Sequence, residues 1–435
     1  MAMVRAVWRD LSLSAVIAGF LSALINFAGP FLIVLEATRT VGLNEAQTAS
    51  WVWALCIGNG VCSVVLSLVT RIPVVVAWST PGAALLIASL GGFSFAEAVG
   101  AFLVASVAAA VAGFTGWFGR LLARVPASVL QALLAGILVP FIVTAAGAFA
   151  SAPLIAGSIA ITFFLGKRYA DRYAVLGALV VGLAVTWATG SFHEAGPALT
   201  LGGPVFTMPE FTLPALVSVA LPLFIVTMAS QNAPGLALLH SQGYAPNDRL
   251  LVGSISSVSA ALAPFGCHGI NLGAITAAIA LGPESHPDPR KRYIAGLSGG
   301  ITYLVVGAFG GLLVTGFQAI PSETVSVLAA VALLASALTA LRGAMSGSDA
   351  RSGLAALTTF AVAMSGVVLF SVGAAFWALV AGSLVTLFLR PRRGPAQAEH
   401  PVAAVTRASD PAQAASAPHA GTPASTPAST PKGTR

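Results

Sequence analysis

The chain has 435 residues, 57% of them hydrophobic and only 8% charged, and its mean hydropathy is +0.90. A soluble domain cannot bury that much apolar surface, so the composition excludes a soluble globular protein and assigns the chain to a bilayer. The formal net charge of +7 admits nucleic-acid or anionic partners only until its distribution along the chain is followed.

Apolar runs near the ~20 residues needed to span hydrocarbon recur from Leu11 to Leu389 with short polar gaps, whereas a β-barrel has shorter, alternating segments. The reading is an all-α polytopic membrane protein with spans near 11–37, 46–69, 73–90, 95–118, 125–148, 150–166, 172–190, 213–239, 248–262, 264–282, 291–316, 320–341, 352–370 and 372–389. The first run continues past Asn26 to Leu35, too long for a cleavable signal. With the N-terminus inside, all of the 21 basic residues except Arg39 fall on the cytoplasmic side, which is the positive-inside pattern and puts both termini in the cytoplasm. The basic balance is then topological and calls for no nucleic acid. Cys56, Cys62 and Cys267 lie in apolar spans and offer no disulfide framework.

Span 1 carries NFAGP at 26–30, with Asn26 as a neutral hydrogen-bonding group, and Glu36 near its outer end is a candidate proton relay. Span 3 opens as PVVVAWSTPGAALL at 73–86. Three valines after a proline favour extended backbone, and Thr80-Pro81-Gly82 then reads as a helix start with Thr80 as N-cap and Pro81 at the first helical position. The segment SFHEAGPALTLGGPVFTMPEFT at 191–212 is the longest loop between spans and joins two halves on the outer face.

The second half repeats these breaks. Span 8 contains SQNAPG at 230–235 and span 10 reads PFGCHGINLGAITAAI at 264–279. Pro264 to Gly269 is too rich in Gly and Pro for a stable helix, and Asn271 is expected to cap the helix that follows. Seven spans per half is odd, so the halves must be inverted relative to one another, a recurring transporter plan in which paired interrupted spans mark the binding site. From 394 to 435 the composition turns to Ala, Pro, Ser and Thr, including ASTPASTP, and is expected to be a disordered cytoplasmic tail.

Non-helical backbone at membrane depth requires protein or a watery cavity to satisfy it, so both breaks are expected to face a cavity. Inverted repeats would aim two half-helix N-termini at one another, each with a partial charge of roughly +0.5, which favours an anion. A carboxylate would then accept hydrogen bonds from backbone near Gly82, Ala83, Asn271, Leu272 and Gly273. Ser230, Gln231 and Asn232 either contact substrate or satisfy freed backbone, and Trp78 and Phe265 offer aromatic walls. His268 is the only ionisable residue deep in a span, and its reference pKa near 6.5 suits proton exchange.

GLSGG at 296–300 satisfies the G-x-S-x-G pattern of serine hydrolases, but it lies near the start of span 11 among small residues, where it equally matches a helix-packing face. No H-E-x-x-H, C-x-x-C or P-loop occurs, so zinc hydrolysis, dithiol redox chemistry and ATP-driven pumping lack their parts. No cofactor, metal or catalytic residue is expected.

AWSTPGAALL at 77–86, TMASQNAPGLALL at 227–239 and PFGCHGINLGAITAAI at 264–279 resemble the signature stretches of the benzoate:proton symporter family, the bacterial benzoate membrane transport proteins. The similarity extends to about residue 391. It implies the wider fold of nucleobase/ascorbate and sulfate permeases: 14 segments in two inverted 7-segment repeats, with core and gate domains and short strands in spans 3 and 10. The core would comprise 11–118 and 213–316, and the gate 125–190 and 320–390. Nucleobase members of that fold carry carboxylates on spans 8 and 10 where this chain has Gln231 and His268, which speaks for an anionic substrate. The resemblance implies an importer of a small aromatic carboxylate with protons in the bacterial inner membrane, and a possible homodimer through the gate. The proton would travel on His268, on Glu36 or on the substrate itself as its neutral acid; another small organic anion is the alternative cargo.

Overall fold

The computed structural model describes residues 2–28, 30–117, 126–192, 203–273, 277–346, 349–370 and 372–389, so the tail expected at 394–435 lies outside the described residues. Helix α1 (Ala2–Asp10) precedes α2 (Leu13–Ala28) and α3 (Pro30–Thr40), the two halves of span 1. Helix α4 (Glu45–Thr70) begins with a capping box of Asn44 and Gln47 and ends at Arg71, which takes a left-handed φ of 57°. Strand β1 (Val76–Trp78) leads into α5 (Thr80–Ser89), and α6 (Phe95–Thr115) starts from a second capping box made by Ser94 and Glu97. The first half closes with α7 (Ala127–Ala145), α8 (Pro153–Tyr169) and α9 (Ala174–Ala188).

Span 8 is one continuous helix, α10 (Leu213–Ser241), and not the interrupted span that SQNAPG suggests. Two π-helical stretches, Leu216–Ala220 and Met228–Asn232, stand immediately before Pro222 and Pro234. A proline ring clashes with the carbonyl four residues back, and widening the preceding turn removes the clash without ending the helix. Helix α11 (Asp248–Leu262), β2 (Ile270–Leu272), α12 (Ala277–Leu281), α13 (Tyr293–Ala308), α14 (Gly310–Gln318), α15 (Ser322–Ala344), α16 (Ala350–Met364) and α17 (Ala374–Phe388) complete the chain. The break between α13 and α14 bends the path by 72°.

Among the described residues, six helices are long and apolar enough to cross a membrane unaided, and seven if the bent pair is one span. The other expected spans are shorter, because a crossing built half from strand, as in β1–α5 and β2–α12, needs fewer helical residues, and α9, α16 and α17 have only 15 each.

The main helix contacts are α4 with α13, α6 with α11, α2 with α13, α7 with α15 and α16, α8 with α9, and α16 with α17. Small residues set the closest of these. A Cβ at Gly60 would lie 2.8 Å from the carbonyl oxygen of Gly300, and one at Gly299 would meet the backbone oxygen of Gly19 at 3.1 Å. Ser298, the middle of GLSGG, donates to the carbonyl of Val16 at 2.7 Å within the α2–α13 contact. The motif is a helix-packing face.

Candidate functional site

The two strands meet in the interior of the bundle. β1 pairs antiparallel with β2 in the register Val76 to Leu272, Ala77 to Asn271 and Trp78 to Ile270. Ser79 N–H donates to Gly269 O at 3.0 Å and Gly273 N–H to Val75 O at 2.8 Å. Those bonds flank Ala77 and Asn271, which makes them a hydrogen-bonded pair of the same ladder. A two-stranded sheet leaves two free edges, which hydrocarbon cannot satisfy.

Side chains from neighbouring helices cover both edges. On the β1 side, α4 presents two serines one turn apart: Ser67 Oγ accepts Val74 N–H at 3.0 Å and donates to Val74 O at 3.2 Å, and Ser63 Oγ accepts Val76 N–H at 2.9 Å. One turn of helix and two residues of strand both advance about 6 Å, so serines at i and i+4 match alternate strand residues. On the β2 side, Asn232 Oδ1 accepts Leu272 N–H at 3.1 Å and Ser259 Oγ accepts Ile270 N–H at 3.4 Å. Gly235 allows this approach, since a Cβ there would sit 2.6 Å from Leu272 Cβ.

The cap of α5 is Ser79, one residue before the expected Thr80, with Pro81 at the second helical position. Ser79 Oγ accepts Gly82 N–H at 3.1 Å and shares a 2.8 Å hydrogen bond with Thr227 Oγ1 of α10. Ser79 wins because its carbonyl also accepts Ala83 N–H at 2.8 Å, closing the first turn one residue earlier. Asn271 is not a helix cap but the centre of β2, and its carboxamide oxygen faces Ser79 N–H at 3.0 Å. In consequence the N–H groups of Gly82, Ala83, Asn271, Leu272 and Gly273, expected to receive a carboxylate, are all engaged within the protein. Thr80 stays partly exposed.

His268 is buried, with 1% of its surface exposed. Its Nδ1 lies 3.0 Å from Trp51 Nε1, and its Nε2 lies 3.1 Å from Ser79 O. An indole N–H can only donate and a carbonyl can only accept, so this pair of neighbours selects the neutral tautomer with the hydrogen on Nε2. The ring thereby ties α4 to the cap of α5. Trp51 packs further on Phe95 and Phe102, at ring-centroid distances of 5.8 and 5.2 Å.

Trp78 is 1% exposed and belongs to an aromatic cluster with Phe27, Phe31 and Tyr303 at 5.2, 6.2 and 5.8 Å. Asn26 donates to Tyr303 Oη beside that cluster. Phe265 is not part of it. It packs on Trp53 and Phe206 at 6.0 and 5.9 Å, and the neighbouring Pro264 carbonyl accepts Thr207 N–H at 2.8 Å, so the loop after 203 draws it away from Trp78. Gln231 is partly exposed one residue before Asn232. Glu36 pairs with Arg39 at 3.4 Å and keeps 45% of its side chain exposed. A cleft of about 770 Å³ runs along α2 and α12, lined by Ser14, Ile17, Leu21, Tyr169, Asp171 and Ile279 among others.

Sequence reasoning passed over Trp51, Ser63, Ser67, Ser79, Thr227 and Ser259. The Ser63/Ser67 spacing on an otherwise apolar helix, just ahead of a valine run, was the available signal.

Residues 9–388 match the family of benzoate membrane transport proteins. The benzoate membrane transport protein of Acinetobacter baylyi is 34% identical over 385 residues, covering 88% of this chain and 97% of that protein. The inner membrane protein YdcO of Escherichia coli K12 is 37% identical over 373 residues, covering 86% and 95%. The transmembrane domain of a cyanobacterial bicarbonate transporter, BicA, superposes with a TM-score of 0.56 at 14% identity, over 86% of this chain and 98% of that domain, which shows a shared fold. With its matched region, its long relatives and its fold in agreement, the chain belongs to the benzoate membrane transport protein family.

Proposed function

We propose that this membrane transporter imports benzoate or a close aromatic carboxylate together with protons, by alternating access, in the bacterial inner membrane with both termini cytoplasmic. The observation that carries the reading is the crossing of β1 and β2, whose edges are closed by Ser63, Ser67, Asn232 and Ser259. Such a crossing gives a non-helical interruption at membrane depth with the edge N–H groups of Val76, Ile270 and Leu272 paired, and interrupted spans are where secondary transporters place their cargo. Substrate would sit at the start of α5 beside Thr80, with the cleft along α2 and α12 as its inner route.

The same reading has fourteen crossings in two inverted repeats, with spans 1–4 and 8–11 as core and spans 5–7 and 12–14 as gate. Packing supports it. Exchanging the halves turns the α4–α13 contact into α11–α6, and α8–α9 into α16–α17, and both members of each pair are present. A different small organic anion is the second reading, because the partners at the crossing are neutral and select no particular ring substituent.

Uptake of radiolabelled benzoate into proteoliposomes, with and without an inward proton gradient, tests the proposal, protein-free vesicles correcting for passive entry. Gradient-driven accumulation is expected. No protein-dependent uptake from folded protein would shift the weight to another anion, which a competition panel of organic acids would identify.

A further inference from the structure

Resting on that transport reading, we infer that the species carried through the crossing is the uncharged acid, with the cotransported proton on the substrate's own carboxyl group and on no side chain of the protein. Three observations converge. None of the 14 acidic or 21 basic residues lies in the middle of a span; those inside the limits of a span fall within four residues of one end. His268, the remaining candidate, has both ring nitrogens committed as a neutral imidazole to Trp51 and Ser79. The backbone donors named for a bare carboxylate, at Gly82, Ala83, Asn271, Leu272 and Gly273, are engaged with Ser79, Asn232 and Val75 or in the β1–β2 ladder, and the indole N–H of Trp78 is one buried donor left without a partner, enough for the carbonyl of a neutral acid.

A carboxylate held in a dry interior needs an opposite charge or several free donors, and without them it is driven to its neutral form. The other titratable groups around the crossing are thiols and a phenol: Cys56 and Cys62 on α4, Cys267 beside His268, and Tyr303 on α13. They bring no positive charge. Farther out, Glu36 and Arg39 stand at the end of α3, and Asp171, Tyr169, Tyr173 and Glu284 line the cleft. The step balances simply: on the outer side one proton from water forms the O–H bond of the acid, and on the inner side that bond breaks, returning one proton to cytoplasmic water and releasing the carboxylate. Net charge movement is zero.

The test uses benzoate labelled with ¹³C at the carboxyl, bound to the full-length protein in liposomes at pH 6.5, where free benzoate is ionised. Solid-state NMR should place the bound carboxyl at the chemical shift of the acid. Affinity should fall about tenfold for each pH unit between 5.5 and 7.5, as expected when the scarce neutral form of an acid with pKa near 4 is the ligand. The same slope should hold in His268→Gln. A bound signal at the carboxylate shift, an affinity independent of pH, or a slope lost in a His268→Gln protein that still binds would each overturn the inference. Absence of any bound signal or uptake at every pH would instead remove the transport reading and this inference with it. The wild-type spectrum decides the matter even where the variant does not fold.

Discussion

The indole N–H of Trp51 on α4 points at Nδ1 of His268, 3.0 Å away and 217 residues later in the chain. A protonated ring would set N–H against N–H there, so Trp51 holds His268 neutral. Trp51→Phe keeps the aromatic bulk on Phe95 and Phe102 and removes only the donor. Nδ1 of His268 is then a buried acceptor without a partner, and the variant should be less stable than wild type by about 1–3 kcal/mol. Its melting temperature measures this; a value equal to that of wild type would show that the bond to Trp51 contributes nothing.

Asn232 answers a single backbone donor, Leu272 N–H, from inside the π-helical stretch of α10. Replacing it with Leu leaves that donor buried and unpaired, a loss of about 1–3 kcal/mol. The three buried free thiols, Cys56, Cys62 and Cys267, supply the readout, because a thiol-reactive fluorophore labels them on unfolding. A melting temperature equal to that of wild type would show the edge to be satisfied by other means.

Ser67 makes two hydrogen bonds to Val74 whereas Ser63 makes one to Val76. Ser67→Ala should therefore destabilise more than Ser63→Ala, each by about 1 kcal/mol per bond removed. The same thermal assay ranks them, and the reverse order would count against the edge-closing role.

Thr80 is partly exposed at the start of α5, and its hydroxyl is not needed to cap the helix, since Ser79 does so. Thr80→Val should raise the apparent KM for benzoate about tenfold, the worth of one hydrogen bond to substrate, with the melting temperature kept. Steady-state uptake measures it. Unchanged KM would move the cargo away from α5.

Ser298 is committed to the Val16 carbonyl between α2 and α13. Active-site fluorophosphonates should leave it unlabelled, and Ser298→Ala should transport within about twofold of wild type, as for a single modest packing bond. Labelling at Ser298 would revive the hydrolase reading.

Membrane class, the order of apolar segments and the places where spans 3 and 10 stop being helical are legible in the residues alone. Those properties are local: hydropathy over a window, valines after Pro73, and the glycines and proline of PFGCHGIN. The two broken spans are also matched correctly in the sequence, because Val76–Trp78 lies against Ile270–Leu272. The tertiary structure alone decided how the polar groups there are spent. Ser79 took the cap from Thr80, Asn271 went into a strand, Phe265 turned toward Phe206, and His268 gained two partners 217 and 189 residues away. A donor or acceptor chooses among whatever groups the packed helices bring within about 3 Å, and local residue preferences carry no record of that company.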